Sequence, residues 1–191
     1  MKIDPGARYL FYLHGRIIED EGERPTSPAF GVYEYRKILE QLSAAGFVVI
    51  SEARASGTDV QEYAGRVLEQ IRRLGGAGVP PGAISVVGFS KGSGIVQWVS
   101  DRLAEEEVSF VLLGSCGGPP DPRIHLTGRV LAVREESDEI SGSCAKLFSQ
   151  SRGVTASEEI VISTGKRHGA FYEPREEWLR PTLAWCQGTA P

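Results

Sequence analysis

Histidine and cysteine are scarce in this chain, three of each in 191 residues, and each scarcity narrows what it can do. Cys116, Cys144 and Cys186 are odd in number and lack metal-ligand spacing. No metal site is expected from them, and reduced thiols in a cytoplasmic protein are the expectation. Positive charge is also in short supply. The formal net charge is -4, which offers no concentration of cations for nucleic-acid phosphates. No apolar run approaches the roughly 20 residues of a membrane helix. The stretch Met1–Gly6 has one lysine and no apolar segment, so it does not read as a secretory signal. Neither nucleic acid nor membrane is expected as a partner.

What is present suits a globular protein: 41% hydrophobic and 24% charged residues. The length allows one well-buried core, read here as a single domain over residues 1–191. Short apolar runs recur without polar alternation: YLFYL at Tyr9–Leu13, FVVI at Phe47–Ile50, ISVV at Ile84–Val87, FVLL at Phe110–Leu113, VLAV at Val130–Val133 and IVI at Ile160–Ile162. Such runs suit strands buried on both faces of a parallel sheet. Strands are predicted near 9–14, 46–53, 84–89, 109–114, 129–134 and 158–163, with the first lying between the second and third.

Helical patterns separate these runs. Tyr35, Ile38, Leu39, Leu42 and Ala45 share one face and stop at Gly46. Thr58 and Gln61 read as a capping box for a helix with Val60, Tyr63, Val67, Ile71 and Leu74 on its apolar stripe. A third helix is predicted from Lys91 to about Ala104, and weaker ones over 142–151 and 175–187. The alternation implies an α/β, three-layer α/β/α fold with a mainly parallel sheet of about six strands. Residues 16–31 read as a long polar loop, the sort that is functional or mobile. The segment Cys116–Gly128 is too short and too rich in Gly and Pro for an ordinary crossover helix.

The string Gly88-Phe89-Ser90-Lys91-Gly92 is G-x-S-x-G, placed after a predicted strand and before a predicted helix. That context gives the pattern its weight, because five residues with three fixed positions also arise as incidental glycine-rich turns. In a strand-to-helix elbow the glycines let backbone pass close, and the hydroxyl is presented at the C-terminal edge of the sheet. A serine needs a base. Of His14, His125 and His168, the last follows the final predicted strand and falls at the same edge. A carboxylate must orient the imidazole, and Glu135, Glu136, Asp138 and Glu139 follow the preceding strand. Spacing alone does not choose among them, although serine, acid, histidine is the expected chain order.

With these residues the chain resembles the α/β-hydrolase superfamily, in particular small capless members similar to dienelactone-hydrolase-like carboxylesterases. The resemblance runs from the strand ending in His14-Gly15, through the Gly88–Gly92 elbow and the Asp138/Ile140 segment, to Gly165, His168 and Phe171. It implies a triad of Ser90, Asp138 and His168. It also implies an oxyanion hole made by the backbone N–H groups of Lys91 and Arg16, with no cofactor. Glu135 stands where the family usually has glycine, which leaves Glu136 as the substitute acid.

The expected activity is cleavage of a small soluble ester or thioester through an acyl-enzyme. The alternatives are an amidase or acyltransferase with the same triad, and a non-catalytic ligand-binding protein on the same fold. With no room for a cap, the pocket should be open and unsuited to long-chain lipids. Arg16, Arg54, Lys91, Arg134, Lys166 and Arg167 fall just after predicted strands, as do Glu52, Glu135 and Glu136. Mutual cancellation is the preferred reading of these charges, and attraction of an anionic substrate, with Lys91 as the residue to test, is the alternative.

Overall fold

A strand that must be apolar on both sides can sit only inside a sheet covered by helices on each face, and that is where the short apolar runs lie. The structure is a computed structural model and describes residues 2–105 and 107–189. In chain order, β1 (Arg8–Leu13) is followed by α1 (Arg16–Glu21), the short strands β2 (Thr26–Ser27) and β3 (Gly31–Val32), and α2 (Tyr35–Ala44). Then come β4 (Phe47–Ile50), α3 (Val60–Gly76), β5 (Ile84–Phe89), α4 (Lys91–Leu103) and β6 (Ser109–Leu113). The chain continues through β7 (Thr127–Glu135), α5 (Ala145–Gln150), β8 (Gly153–Ile162) and α6 (Glu176–Cys186).

Six strands form one parallel sheet in the order β4-β1-β5-β6-β7-β8. β1 therefore lies between β4 and β5, as expected, and β2 and β3 pair as a separate antiparallel hairpin. The two-faced burial is visible within β1. Tyr9, Phe11 and Leu13 join the core beneath α3 and α4, while Leu10 and Tyr12 join the one beneath α2 and α6. Each side chain of the run thus has an apolar destination, so the sequence shows no alternation.

Local corrections have physical causes. The cap of α3 is Asp59, whose carboxylate accepts from the N–H groups of Gln61 and Glu62 at 2.9 and 2.8 Å. Thr58 instead donates its hydroxyl to Ala55 O. β8 starts at Gly153, well before the predicted 158, because an edge strand with an exposed first half needs no apolar signature. The 16–31 segment is not an open loop. It forms α1 and the β2–β3 hairpin, buries Ile18 and Glu19, and ties down its charges through Glu23–Arg36 and Arg24–Glu34 ion pairs.

The expectation of reduced thiols is also corrected. Cys116 and Cys144 form a disulfide with Cα atoms 5.3 Å apart, and Cys186 remains a buried free thiol, pushed by burial up to about 12. The bonded pair is 28 residues apart in sequence. It meets only because the connection after β6 packs on the segment before α5, where Gly142 N–H donates to Ser115 O at 2.9 Å. Closing a loop of this length restricts the unfolded chain by about 3–4 kcal/mol. Cys116→Ser/Cys144→Ser should lose about that much stability in urea titration under oxidising conditions. A loss below about 1 kcal/mol would show that the bond is absent or inconsequential. Among the described residues, no helix is long and apolar enough to cross a membrane.

Candidate active site

The turn from β5 into α4 holds Ser90 at φ 53° and ψ -115°. A non-glycine residue in this region is strained, and such strain persists only where the surroundings enforce it. They do so by close packing. A Cβ on Gly92 would sit 1.9 Å from Leu13 O, and one on Gly88 would sit 2.4 Å from Gly92 O. Gly92 is therefore dictated by contact with the end of β1, and Gly88 by contact with the first turn of α4. Ser90 N–H donates to Leu113 O at 3.0 Å, while Ser93 Oγ lies 2.6 Å from Gly88 O and 2.8 Å from Leu113 O, within donating reach of both.

His168 lies in the short helical turn Arg167–Phe171 that follows β8. Its Nδ1 is 2.7 Å from Asp138 Oδ2, and both residues are buried. With Nδ1–H donating to the carboxylate, Nε2 is left as the nitrogen able to take a proton. Ile140 N–H and Ser141 Oγ–H also donate to Asp138, at 2.9 and 2.7 Å. Burial would push this carboxyl up, but the bonds from His168, Ser141 and Ile140 outweigh it and hold the group below its ordinary value. The structure brings Asp138, not the exposed Glu136, to the histidine.

Glu135, the residue in glycine's place, is buried and joins two loops. Its Oε2 accepts from Ser137 N–H at 2.7 Å and from the Ser137 hydroxyl at 2.6 Å. Its Oε1 accepts from the N–H groups of Thr164 and Gly165 at 2.9 and 3.0 Å. Burial disfavours its charge, yet these donors hold its pKa below the ordinary carboxylate value. The carboxylate thus links the loop bearing Asp138 to the loop bearing His168. In the sequence Glu135 is visible only as a departure from glycine, because its partners at 164 and 165 belong to another loop.

The other two histidines lie elsewhere. His125 is exposed, with Nδ1 2.9 Å from Gln150 O. His14 is fully buried, and its Nε2 accepts from Arg54 N–H at 2.9 Å while Nδ1–H donates to Gly15 O at 2.8 Å. Burial first, then the neighbouring Arg54 cation, lower its pKa to about 4, so it is neutral at physiological pH. Its part is to shape the turn after β1. Arg16 and Lys91 are the first residues of α1 and α4. N–H groups at those positions have no intrahelical acceptor.

The Lys91 side chain is committed. Its Nζ lies 2.5 Å from Glu19 Oε2, and Glu19 Oε1 accepts from Arg54 Nε at 2.8 Å. Arg16 pairs with Asp20, Arg134 with Glu159, and Arg167 with Glu139. Five of the six basic residues after the strands thus pair with carboxylates, Arg54 and Lys91 sharing Glu19, and none of these partners is Glu52, Glu135 or Glu136. The anionic-substrate alternative has no free cation at Lys91 on which to rest.

Ser90 and His168 line one open cavity of about 420 Å³. Gly15, Arg16 and Asp20 also line it, and Ile17, Phe89, Ile140 and Tyr172 supply apolar wall. Phe30, from the segment read as a polar loop, packs on His168 with ring centroids 5.9 Å apart. Among the described residues, no group of three or more His, Cys, Asp or Glu could hold a metal ion.

A parallel sheet in this order, with a strained serine at the turn from its third long strand into a helix, defines the α/β-hydrolase fold. No family model matches the chain, and no curated protein matches it by sequence. Solved structures match throughout its length. A monoacylglycerol lipase from Paleococcus ferrophilus is similar at a TM-score of 0.64 and 16% identity, over 94% of each chain. An esterase from Pyrococcus furiosus is similar at 0.61 and 14% identity, over 97% of this chain and 85% of its own. The 2-hydroxy-6-oxo-6-phenylhexa-2,4-dienoate hydrolase of a Rhodococcus strain is similar at 0.58 and 16% identity, over 96% and 92%.

Proposed function

We propose that this protein is a serine hydrolase that cleaves a small ester or thioester through an acyl-enzyme. The observation that carries the reading is the strained Ser90 in the same cavity as a histidine whose other nitrogen is bound to a buried carboxylate. In this mechanism His168 Nε2 takes the Ser90 hydroxyl proton as Oγ attacks the substrate carbonyl. The charge that forms on His168 is balanced by Asp138, which stays ionised. The tetrahedral oxyanion is held by the N–H groups of Lys91 and Arg16. His168 then protonates the leaving group, and water hydrolyses the acyl-enzyme by the same steps in reverse roles.

The open cavity, with Ile17, Phe89, Ile140 and Tyr172 in its lining and its two charged residues, Arg16 and Asp20, paired with each other, supports a compact, uncharged substrate. The lipase, esterase and hydrolase activities of structures with this fold agree with hydrolysis as the reaction class. A non-catalytic binding protein would have no need of the Asp138–His168 pair beside a strained serine.

A fluorophosphonate probe followed by peptide mapping separates the two readings. Labelling at Ser90, with turnover of at least one member of a panel of short acyl esters, thioesters and lactones, is expected. An unlabelled Ser90 with no turnover on any member would favour the binding protein.

A further inference from the structure

The Glu19 carboxylate is completely buried but takes no part in the reaction just described. Its two oxygens join elements that are distant in sequence: Oε1 to Arg54, in the segment after β4, and Oε2 to Lys91, the first residue of α4. From Arg54 the bonds continue. Nη2 donates to His14 O, the backbone N–H donates to His14 Nε2, and His14 Nδ1–H donates to Gly15 O. One unbroken path therefore runs from the residue after Ser90 to the turn that carries Arg16.

These are the two backbone stretches whose N–H groups would hold the oxyanion. Both donors must lie about 2.7–3.1 Å from a single oxygen position. They come from different helices, so their separation depends on what ties α1 to α4. Charge balance does not require this arrangement, because Arg54 alone would neutralise Glu19. The second cation, on the residue that follows the nucleophile, leaves the cluster with one excess positive charge.

We infer that Glu19 is a positioning residue of the oxyanion hole, clamping Lys91 and, through Arg54 and His14, the Gly15–Arg16 turn at a working separation. The inference rests on the serine-hydrolase reading. It explains why a lysine follows the nucleophile: its main chain supplies the donor, and its side chain holds that donor in register with α1.

Glu19→Gln would leave the buried Arg54 without its carboxylate and risk unfolding, so Lys91→Met carries the test. It keeps the stem and the backbone donor, and the Lys91 side chain is 19% exposed. Kinetics on p-nitrophenyl acetate, or on the short ester the wild type cleaves best, should show kcat reduced by about 10- to 100-fold, the range that a misplacement near 1 Å produces. KM should change by less than about threefold. The inhibition constant of a trifluoromethyl ketone, whose Ser90 adduct carries the oxyanion, should rise by about the same factor as kcat falls. Lys91→Arg, which can still bind Glu19, should recover most of both.

Wild-type kcat and inhibitor affinity in Lys91→Met would overturn the inference, as would Lys91→Arg performing no better than Lys91→Met. Those results are separable from a failure of the hydrolase reading. In that event the wild type itself would be inert to the esters and to the fluorophosphonate, and both ideas would fall.

Discussion

Ser90→Ala should lower turnover of any accepted ester by about 10⁴- to 10⁶-fold and leave the fold intact. The expected size follows from what remains. The backbone donors and the cavity persist and sustain a residue of catalysis, but no acyl-enzyme can form. The folding side of the prediction is equally specific. The elbow is held by main chain and by Ser93, through Ser90 N–H on Leu113 O and the Ser93 hydroxyl beside Gly88 O and Leu113 O. Alanine meets the same backbone strain as serine and disturbs none of these bonds. The melting temperature should therefore stay within a few degrees of the wild type, and fluorophosphonate labelling should vanish. A Ser90→Ala protein retaining more than about a tenth of wild-type turnover would place the nucleophile elsewhere.

Asp138→Asn should cost about 10⁴-fold in kcat at neutral pH, whereas Glu136→Gln should change it by less than about twofold. The carboxylate accepts the Nδ1 proton of His168 and so keeps Nε2 free to act as base. An asparagine can turn its NH₂ toward Nδ1, which selects the other tautomer and places a proton on Nε2. Glu136 is exposed and bonds to His168 in no such way. The same residue sets part of the acid sensitivity of the fold. Its folded pKa is depressed, so on acidification the unfolded chain takes up the proton first. The stability it contributes is complete above about pH 4, the ordinary aspartate value, and is lost as pH falls through the folded pKa. Urea titrations of wild type and Asp138→Asn should therefore converge as the pH drops below about 4. A Glu136→Gln variant more damaged than Asp138→Asn would reverse the assignment of the acid.

Much of this architecture is legible in the residues themselves. The strands of the sheet interior follow from short apolar runs, and α2, α3 and α4 follow from helical periodicity, closed by glycines in α2 and α3. The elbow is readable because its requirements are local: a tight turn between a strand and a helix needs glycine at fixed offsets. Departures appear where that local signal is absent. The first half of β8 lies on an exposed edge and needs no apolar pattern, so the apolar run marks only its second half. Residues 16–31 read as a long polar loop, but Glu19 is buried against cations contributed from residues 54 and 91.

The division follows the range of the interactions. Periodicity, turns and the glycines of the elbow are decided between near neighbours in the chain, so sequence alone determined the layered α/β plan and offered Ser90, His168 and a short set of acids. Which acid meets the histidine was decided by the packing of the loop after β7 against the turn after β8, with Glu135 binding Thr164 and Gly165 across 29 and 30 residues. The disulfide between Cys116 and Cys144, the burial of Glu19 and the commitment of Lys91 were settled in the same way. Each joins groups far apart in the chain. Whether such groups meet depends on the packed fold as a whole, because a buried charge or a paired thiol needs a partner that no local pattern can name.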